Sequence, residues 1–202
     1  MSDTGLRERK KAKTRLALED AALELFATKG FDATTVDEIA AACDVSRRTF
    51  FRYYASKEEV FSGEHEDEET AVFEFISARP ASEPALTSLR AAVVAMADDL
   101  GADRERLLAK MRIIQQTPSL ESTALQHSSE MVDRIVEALV ARSEGEPAPD
   151  DVFRMRLVTQ AAIGALRAAI ERWAADGGTD DLGEVTTDAL DLLAAAFGRT
   201  PG

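Results

Sequence analysis

Residues 34–54 read Thr34-Thr-Val-Asp-Glu-Ile-Ala-Ala-Ala-Cys-Asp-Val-Ser-Arg-Arg-Thr-Phe-Phe-Arg-Tyr-Tyr54, and the fold turns on that stretch. With Thr35 as N-cap, Glu38 stands three residues on, the spacing of a capping box. Val36, Ile39, Ala40 and Cys43 share one face of a helix about two turns long. It stops at Cys43-Asp44-Val45, where Asp44 tolerates a turn conformation that most residues resist. Ser46 then caps a second short helix, with Val45 before the cap and Phe50 after it as a hydrophobic staple. The spacing predicts that Phe50, Phe51 and Tyr54 pack inward, at least in part, and leaves Arg47, Arg48, Arg52 and Tyr53 outside.

Short helix, tight turn, short helix is the helix-turn-helix layout. The second helix of such a motif enters a major groove about 12 Å wide and meets base edges with its first turn. Arg47 and Arg48 occupy that turn, and an arginine can bind guanine O6 and N7 together. Thr49 suits a thymine methyl or a phosphate. Tyr53 and Lys57, a turn or more on, suit phosphates, which position a protein without reading sequence. The Thr35 hydroxyl and the N–H groups of the helix it opens offer another phosphate contact. Each of these residues also has a plainer reading, as a surface charge, a packing group or a cap.

Helical signals run outward on both sides. Leu18, Ala22, Leu25 and Phe26 recur at helical spacing and predict a helix from about Arg7 to Lys29, with Gly30 as a left-handed stop and Phe31 folding back on Phe26. Ser56 caps a further helix with acids in its first turn. Beyond it, Pro80 and Pro84 bracket a loop, Asp98–Asp103 with Gly101 inside predicts another, and Pro118 interrupts after Thr117. Gly145–Pro149 reads as a linker, and Gly177-Gly178 separates the last two helices. No alternating strand pattern stands out, so the class is all-α, about nine helices in all: a three-helix part over residues 1–56 that carries the helix-turn-helix, then a longer helical part over 57–202.

Charge agrees with that division. Residues 1–60 hold eleven Lys/Arg and eleven Asp/Glu, so the whole net charge of −13 lies beyond residue 60. Arg7, Arg9, Lys10, Lys11, Lys13 and Arg15 crowd together against a single acid, Glu8, and present a phosphate-seeking end. Lys10 and Lys11 join the DNA-contact set, which also takes in Ser46, Phe51 and Arg52. Cys43 is the only cysteine, which excludes an internal disulfide and suits a reducing cytoplasm. The longest apolar run, Ala91–Ala97, is far short of the roughly 18–20 residues a bilayer crossing needs. No apolar leader follows Met1, so no membrane partner and no secretory signal are expected. An enzyme is disfavoured: there is no nucleophile–base set and no phosphate loop, and the two histidines stand far apart. The acidic run from Glu64 to Glu69, with its one histidine, lacks defined metal-ligand spacing and reads as a solvated face.

The pattern Thr35-x3-Ile39-Ala40-x4-Val45-Ser46-x2-Thr49-Phe50-Phe51-Arg52-Tyr53-Tyr54-x-Ser56-Lys57-Glu58, with Ala21-Ala22-x2-Leu25-Phe26-x3-Gly30-Phe31 upstream, resembles the TetR family of bacterial regulators over about residues 12–61. The resemblance implies nine or so helices, a homodimer joined by the last two, a ligand cavity in the C-terminal domain, and repression relieved by that ligand. Two departures stand out. Cys43-Asp44 replaces the usual Ala-Gly of the turn, and Phe51 stands where many relatives carry tyrosine. From Arg112 to Leu120 and from Ala162 to Gly178 the chain is also similar to actinobacterial members linked to mycofactocin genes, which implies a long acyl-CoA effector.

The C-terminal half carries the dimer and ligand expectations. Leu182, Val185, Ala189, Leu192 and Ala196 alternate steps of three and four, an a/d seam. The stretch 161–169 is rich in small side chains that permit close helix approach. Helices near 150–175 and 181–197 are therefore the candidate homodimer interface, unless the stripe only faces the chain's own core. A two-fold dimer asks for a palindromic double-stranded operator. Phe73, Ile76, Leu89, Val93, Met96, Met111, Ile114, Phe153 and Trp173 fit a cavity wall, though each also fits a plain core position. Arg112, Gln116, His127 and Gln160 are polar groups able to orient a small-molecule effector, either an apolar compound or an acyl-CoA. No cofactor or metal is expected. The rival to a DNA-binding regulator is a co-regulator that binds protein and not DNA; the basic arm and Arg47/Arg48 argue against it.

Overall fold

The computed structural model describes residues 3–62, 66–80, 82–143 and 145–198. Among them the backbone forms ten α-helices and no strand. They are α1 (Asp3–Lys29), α2 (Val36–Ala42), α3 (Arg47–Phe50), α4 (Lys57–Ser62), α5 (Glu66–Ser77), α6 (Ala85–Ala102), α7 (Arg104–Gln116), α8 (Pro118–Ala141), α9 (Pro149–Ala175) and α10 (Leu182–Gly198). No helix among the described residues is long and apolar enough to cross a membrane. The chain divides into two compact units, one of residues up to 64 with 109–124, the other of the remainder.

The first unit is organised by α1. Leu18, Ala22 and Phe26 are buried along one face, as their spacing predicts, and they pack with Ile39, Ala40, Phe50, Tyr54 and Val60. The helix ends where expected: Gly30 takes φ 90° and its N–H reaches the Phe26 carbonyl at 3.1 Å. That single backward bond from a left-handed residue satisfies an orphan carbonyl. Phe31 then lies on Phe26, ring centroids 4.8 Å apart. Ile113 and Leu120, from the α7–α8 junction, complete the core. α1 itself begins four residues before the expected Arg7, at Asp3.

In the second unit α10 packs on α6 and α9. The loop expected over Asp98–Asp103 is helix instead, for α6 runs through Gly101 to Ala102. The cause is tertiary: a β-carbon at position 101 would stand 3.1 Å from the Leu182 Cβ, so glycine serves the approach of α10 there and not a turn. Gly177 and Gly178 do break the chain, with φ of 76° and 67°. The Trp173 indole seals that break, donating from Nε1 to the Asp180 carbonyl at 2.8 Å. Arg104 adds a bond from Nη2 to the Gly177 carbonyl at 2.6 Å.

The α10 seam separates into two faces. Leu182, Gly183, Thr186 and Leu190 are buried in the chain's own core. Leu192 is 67% exposed, Ala196 is exposed, and Val185 and Ala189 are half-buried. On α9, Ala162, Ile163, Leu166 and Ala169 point inward, while Phe153 and Leu157 are 65% and 53% exposed. A single chain thus leaves an apolar stripe uncovered on both terminal helices.

Candidate nucleic-acid interface

The helix-turn-helix is assembled by local bonds. The Thr35 side chain accepts from the Glu38 N–H, and the Glu38 carboxylate accepts from the Thr35 N–H at 2.9 Å and from its hydroxyl at 2.9 Å. Lys29 also ion-pairs with Glu38. Lys29, followed by the Thr35 N–H and hydroxyl, holds the Glu38 carboxyl down at about 2. A depressed folded-state value means the pairing is intact above the ordinary carboxylate range and is lost only as pH falls toward 2. A carboxyl-detected NMR titration is expected to place the Glu38 midpoint near that value.

α2 ends as Val45 N–H bonds back to the Ala40 carbonyl at 3.0 Å, with Asp44 at φ 54°. Asp44 thus takes a left-handed conformation, which Asp tolerates better than most side chains. Cys43 donates its thiol to the Ala17 carbonyl at 3.1 Å, tying the turn to α1. Burial, with Asp20 adding to it, raises the thiol above its ordinary range, so the thiolate is disfavoured. Ser46 caps α3, its Oγ accepting from the Thr49 N–H at 3.0 Å and lying 2.8 Å from the Thr49 hydroxyl.

α3 is one helical turn, continued by i→i+3 bonds from Arg52 to Thr49 and from Tyr53 to Phe50. Its footing is Phe50, fully buried, with Tyr54 behind it at a ring separation of 5.9 Å. The Tyr54 hydroxyl donates to Glu19 Oε1 at 2.6 Å, a buried bond across 35 positions that fixes the end of this segment to α1. Burial first, then Glu19, raises the phenol well above its usual range. Glu19 was missed in the sequence, although a carboxylate next to Leu18 on a buried face calls for a partner.

Two orientations differ from expectation. Phe51 is 45% exposed and not inward, because it falls a third of a turn round from Phe50, and Arg47 covers its ring at 5.4 Å. Tyr53 is half-buried against the core, with Arg52 over its ring at 5.0 Å. Arg47, Arg48 and Arg52 are exposed, and Arg47 Nη1 donates to Asp37 Oδ2 at 2.7 Å. Lys10 and Lys11 are exposed on α1.

Lys57 points another way. Its ammonium donates to the carbonyls of Phe31 at 2.7 Å and Thr34 at 3.1 Å and sits 4.3 Å over the Phe31 ring. This closes the α1–α2 loop against α4. Lys57→Met should cost about 1.5–3 kcal/mol in a urea melt, the range for hydrogen bonds to a charged group. A flattened salt dependence of DNA binding with unchanged stability would put the ammonium on a phosphate instead.

The effector candidates scatter. Met111, Arg112 and Gln116 belong to the first unit; Phe73, Met96, Phe153, Gln160 and Trp173 belong to the second. Phe73, Arg112, Gln116, Phe153 and Gln160 are exposed, Met96 and Met111 half-buried, and Trp173 buried. An open cavity of about 450 Å³ lies elsewhere, between α6 and α10, lined by Val94, Asp98, Asp181, Gly183, Glu184, Thr187 and Asp188. None of these eight residues lines it, nor do Ile76, Leu89, Val93, Ile114 or His127.

Known proteins share this arrangement. The model of the bacterial regulatory proteins of the tetR family matches residues 18–62, and that of the MftR C-terminal domain matches residues 83–198. The chain is 36% identical over 197 residues to the transcriptional regulator TcmR of Streptomyces glaucescens, covering 94% of this chain and 86% of that protein. It is 31% identical over 194 residues to the proposed mycofactocin biosynthesis regulator MftR of Mycobacterium tuberculosis, covering 95% and 94%. Among solved structures, it is similar to the TetR-family repressor FadR of Thermus thermophilus in complex with lauroyl-CoA, at 28% identity and a TM-score of 0.56, covering 89% of this chain and 92% of that one. The helix-turn-helix geometry, the ten-helix order and these matches together place the chain in the TetR family of DNA-binding transcriptional regulators, with a C-terminal domain of the MftR type.

Proposed function

We propose that the chain is a cytoplasmic repressor, working as a homodimer on a palindromic operator and released by an acyl-CoA thioester. The observation that carries the DNA reading is the Ser46-capped turn, which holds Arg47 and Arg48 outward over buried Phe50. In this reading Arg47 and Arg48 meet base edges, and Thr49 meets a thymine methyl or a phosphate. Thr35, Ser46, Phe51, Arg52 and Tyr53 border the groove, and Lys10 and Lys11 take flanking phosphates. DNA contact falls within residues 1–56; ligand and dimer contacts fall within 57–202. Lys57 supports the interface chiefly by closing the loop beneath it.

The exposed stripe of Phe153, Leu157 and Leu192 supports dimerisation through α9 and α10. Phe153 and Gln160 lie exposed on α9 and serve that contact, leaving Phe73, Met96 and Trp173 as the effector candidates of the second unit. The acyl-CoA assignment is supported by the lauroyl-CoA complex of the Thermus thermophilus relative. Selection of bound duplexes from a randomised pool tests the DNA reading. Arg48→Ala should lower affinity for the selected site about 10-fold or more and relax preference at one base pair per half-site. An unchanged site preference and affinity would remove Arg48 from base reading.

A further inference from the structure

Asp37 poses a problem that the DNA reading leaves open. It is an acid in the first turn of α2, side chain 61% exposed, on the side of the motif that carries Arg47. A carboxylate facing phosphates costs affinity through like-charge repulsion. Its neighbour Glu38 is occupied by Lys29 and by the Thr35 cap, so it has a fold-making task. Asp37 instead accepts a hydrogen bond from Arg47, at 2.7 Å.

We propose that Asp37 is a positioning residue for Arg47, fixing its guanidinium so that the arginine reads one base pair and does not settle on a phosphate. The inference rests on the DNA-binding reading above and deepens it. Arg47 is held from two sides, by Asp37 at Nη1 and by the Phe51 ring at 5.4 Å. Fixing Nη1 leaves Nε and Nη2, two parallel donors on one edge, which is the fork that matches guanine O6 and N7. The pair is a surface one and adds little to stability. Its effect is on where a long side chain spends its time, since an unheld arginine beside DNA samples the much more numerous phosphate oxygens. Arg52 lies over Tyr53 and Arg48 is simply exposed, so this device belongs to Arg47.

The test uses the full-length chain, a randomised duplex pool read by sequencing, and a salt titration on a fixed nonspecific duplex. Asp37→Asn should lose about tenfold of its discrimination at one base pair per half-site, the same base pair that Arg47→Ala affects. On the nonspecific duplex it should bind more tightly than the parent, with a log–log salt slope steeper by about 0.9 for each arginine set free. Asp37→Glu should keep most of the preference. Asp37→Asn with unchanged preference and slope overturns the proposal. So does a change at a base pair that Arg47→Ala leaves alone, because Asp37 would then touch that base itself. A parent chain that enriches no sequence at all overturns the DNA reading and this inference with it, whereas a parent that does while Asp37→Asn behaves identically sinks the inference alone.

Discussion

A chain carrying Leu157→Glu and Leu192→Glu will sediment as a monomer and lose operator affinity by about a thousandfold or more. Specific DNA complexes are typically at least that much tighter than the same protein's nonspecific binding, and one α3 turn offers too few contacts to keep the difference. Both leucines are more than half exposed on the surfaces of α9 and α10, where glutamate is a good helix former, so the chain's own fold should be spared. In the proposed α9–α10 dimer the same positions would face apolar side chains, and each leucine buried there would contribute about 1.5–3 kcal/mol that a charged carboxylate forfeits. Four charges buried across a two-fold axis add desolvation and repulsion. Circular dichroism should show undiminished helix beside the monomeric boundary; a dimer that survives both substitutions would move the interface to another face.

Phe50→Ala will destabilise the DNA-binding unit by about 3–5 kcal/mol, the range for truncating a buried aromatic. That is a large share of the roughly 5–15 kcal/mol by which a domain is stable. Phe50 is the one residue of α3 that is fully buried, with Tyr54 and Ile39 in the same cluster, so its loss frees the turn that presents Arg47 and Arg48. DNA binding should fall with stability. The neighbouring Phe51→Ala serves as contrast: at 45% exposure it should cost far less in a urea melt. Equal losses at the two positions would mean that the turn is not hung on Phe50.

The parts of the motif legible in the sequence are those decided within four or five residues. Thr35 with Glu38, Asp44 at positive φ, Ser46 with Thr49, and Gly30 after α1 all form as their spacing implies, because caps and turns are local chemistry. What escaped was decided by contacts from far along the chain. Lys57 reads as a phosphate ligand, and local spacing gives no sign that its ammonium also bonds the Phe31 and Thr34 carbonyls, more than twenty residues upstream. Glu19 and Tyr54 find one another across 35 positions, and Gly101 reads as a breaker until Leu182 needs the space. Phe51 and Phe50 are adjacent aromatics of equal apolarity; only the direction of a single helical turn separates the buried one from the exposed one. The effector residues are the least legible, since apolar side chains at helical spacing line cavities and fill cores with the same pattern.

Methylation interference on the selected operator reads out whether the α3 turn enters the major groove. Dimethyl sulfate marks guanine N7 in the major groove and adenine N3 in the minor groove. N7 methylation should block binding at guanines in two symmetric clusters, their centres one helical turn or a multiple apart. Interference confined to adenine N3, or a single unsymmetric cluster, would contradict it.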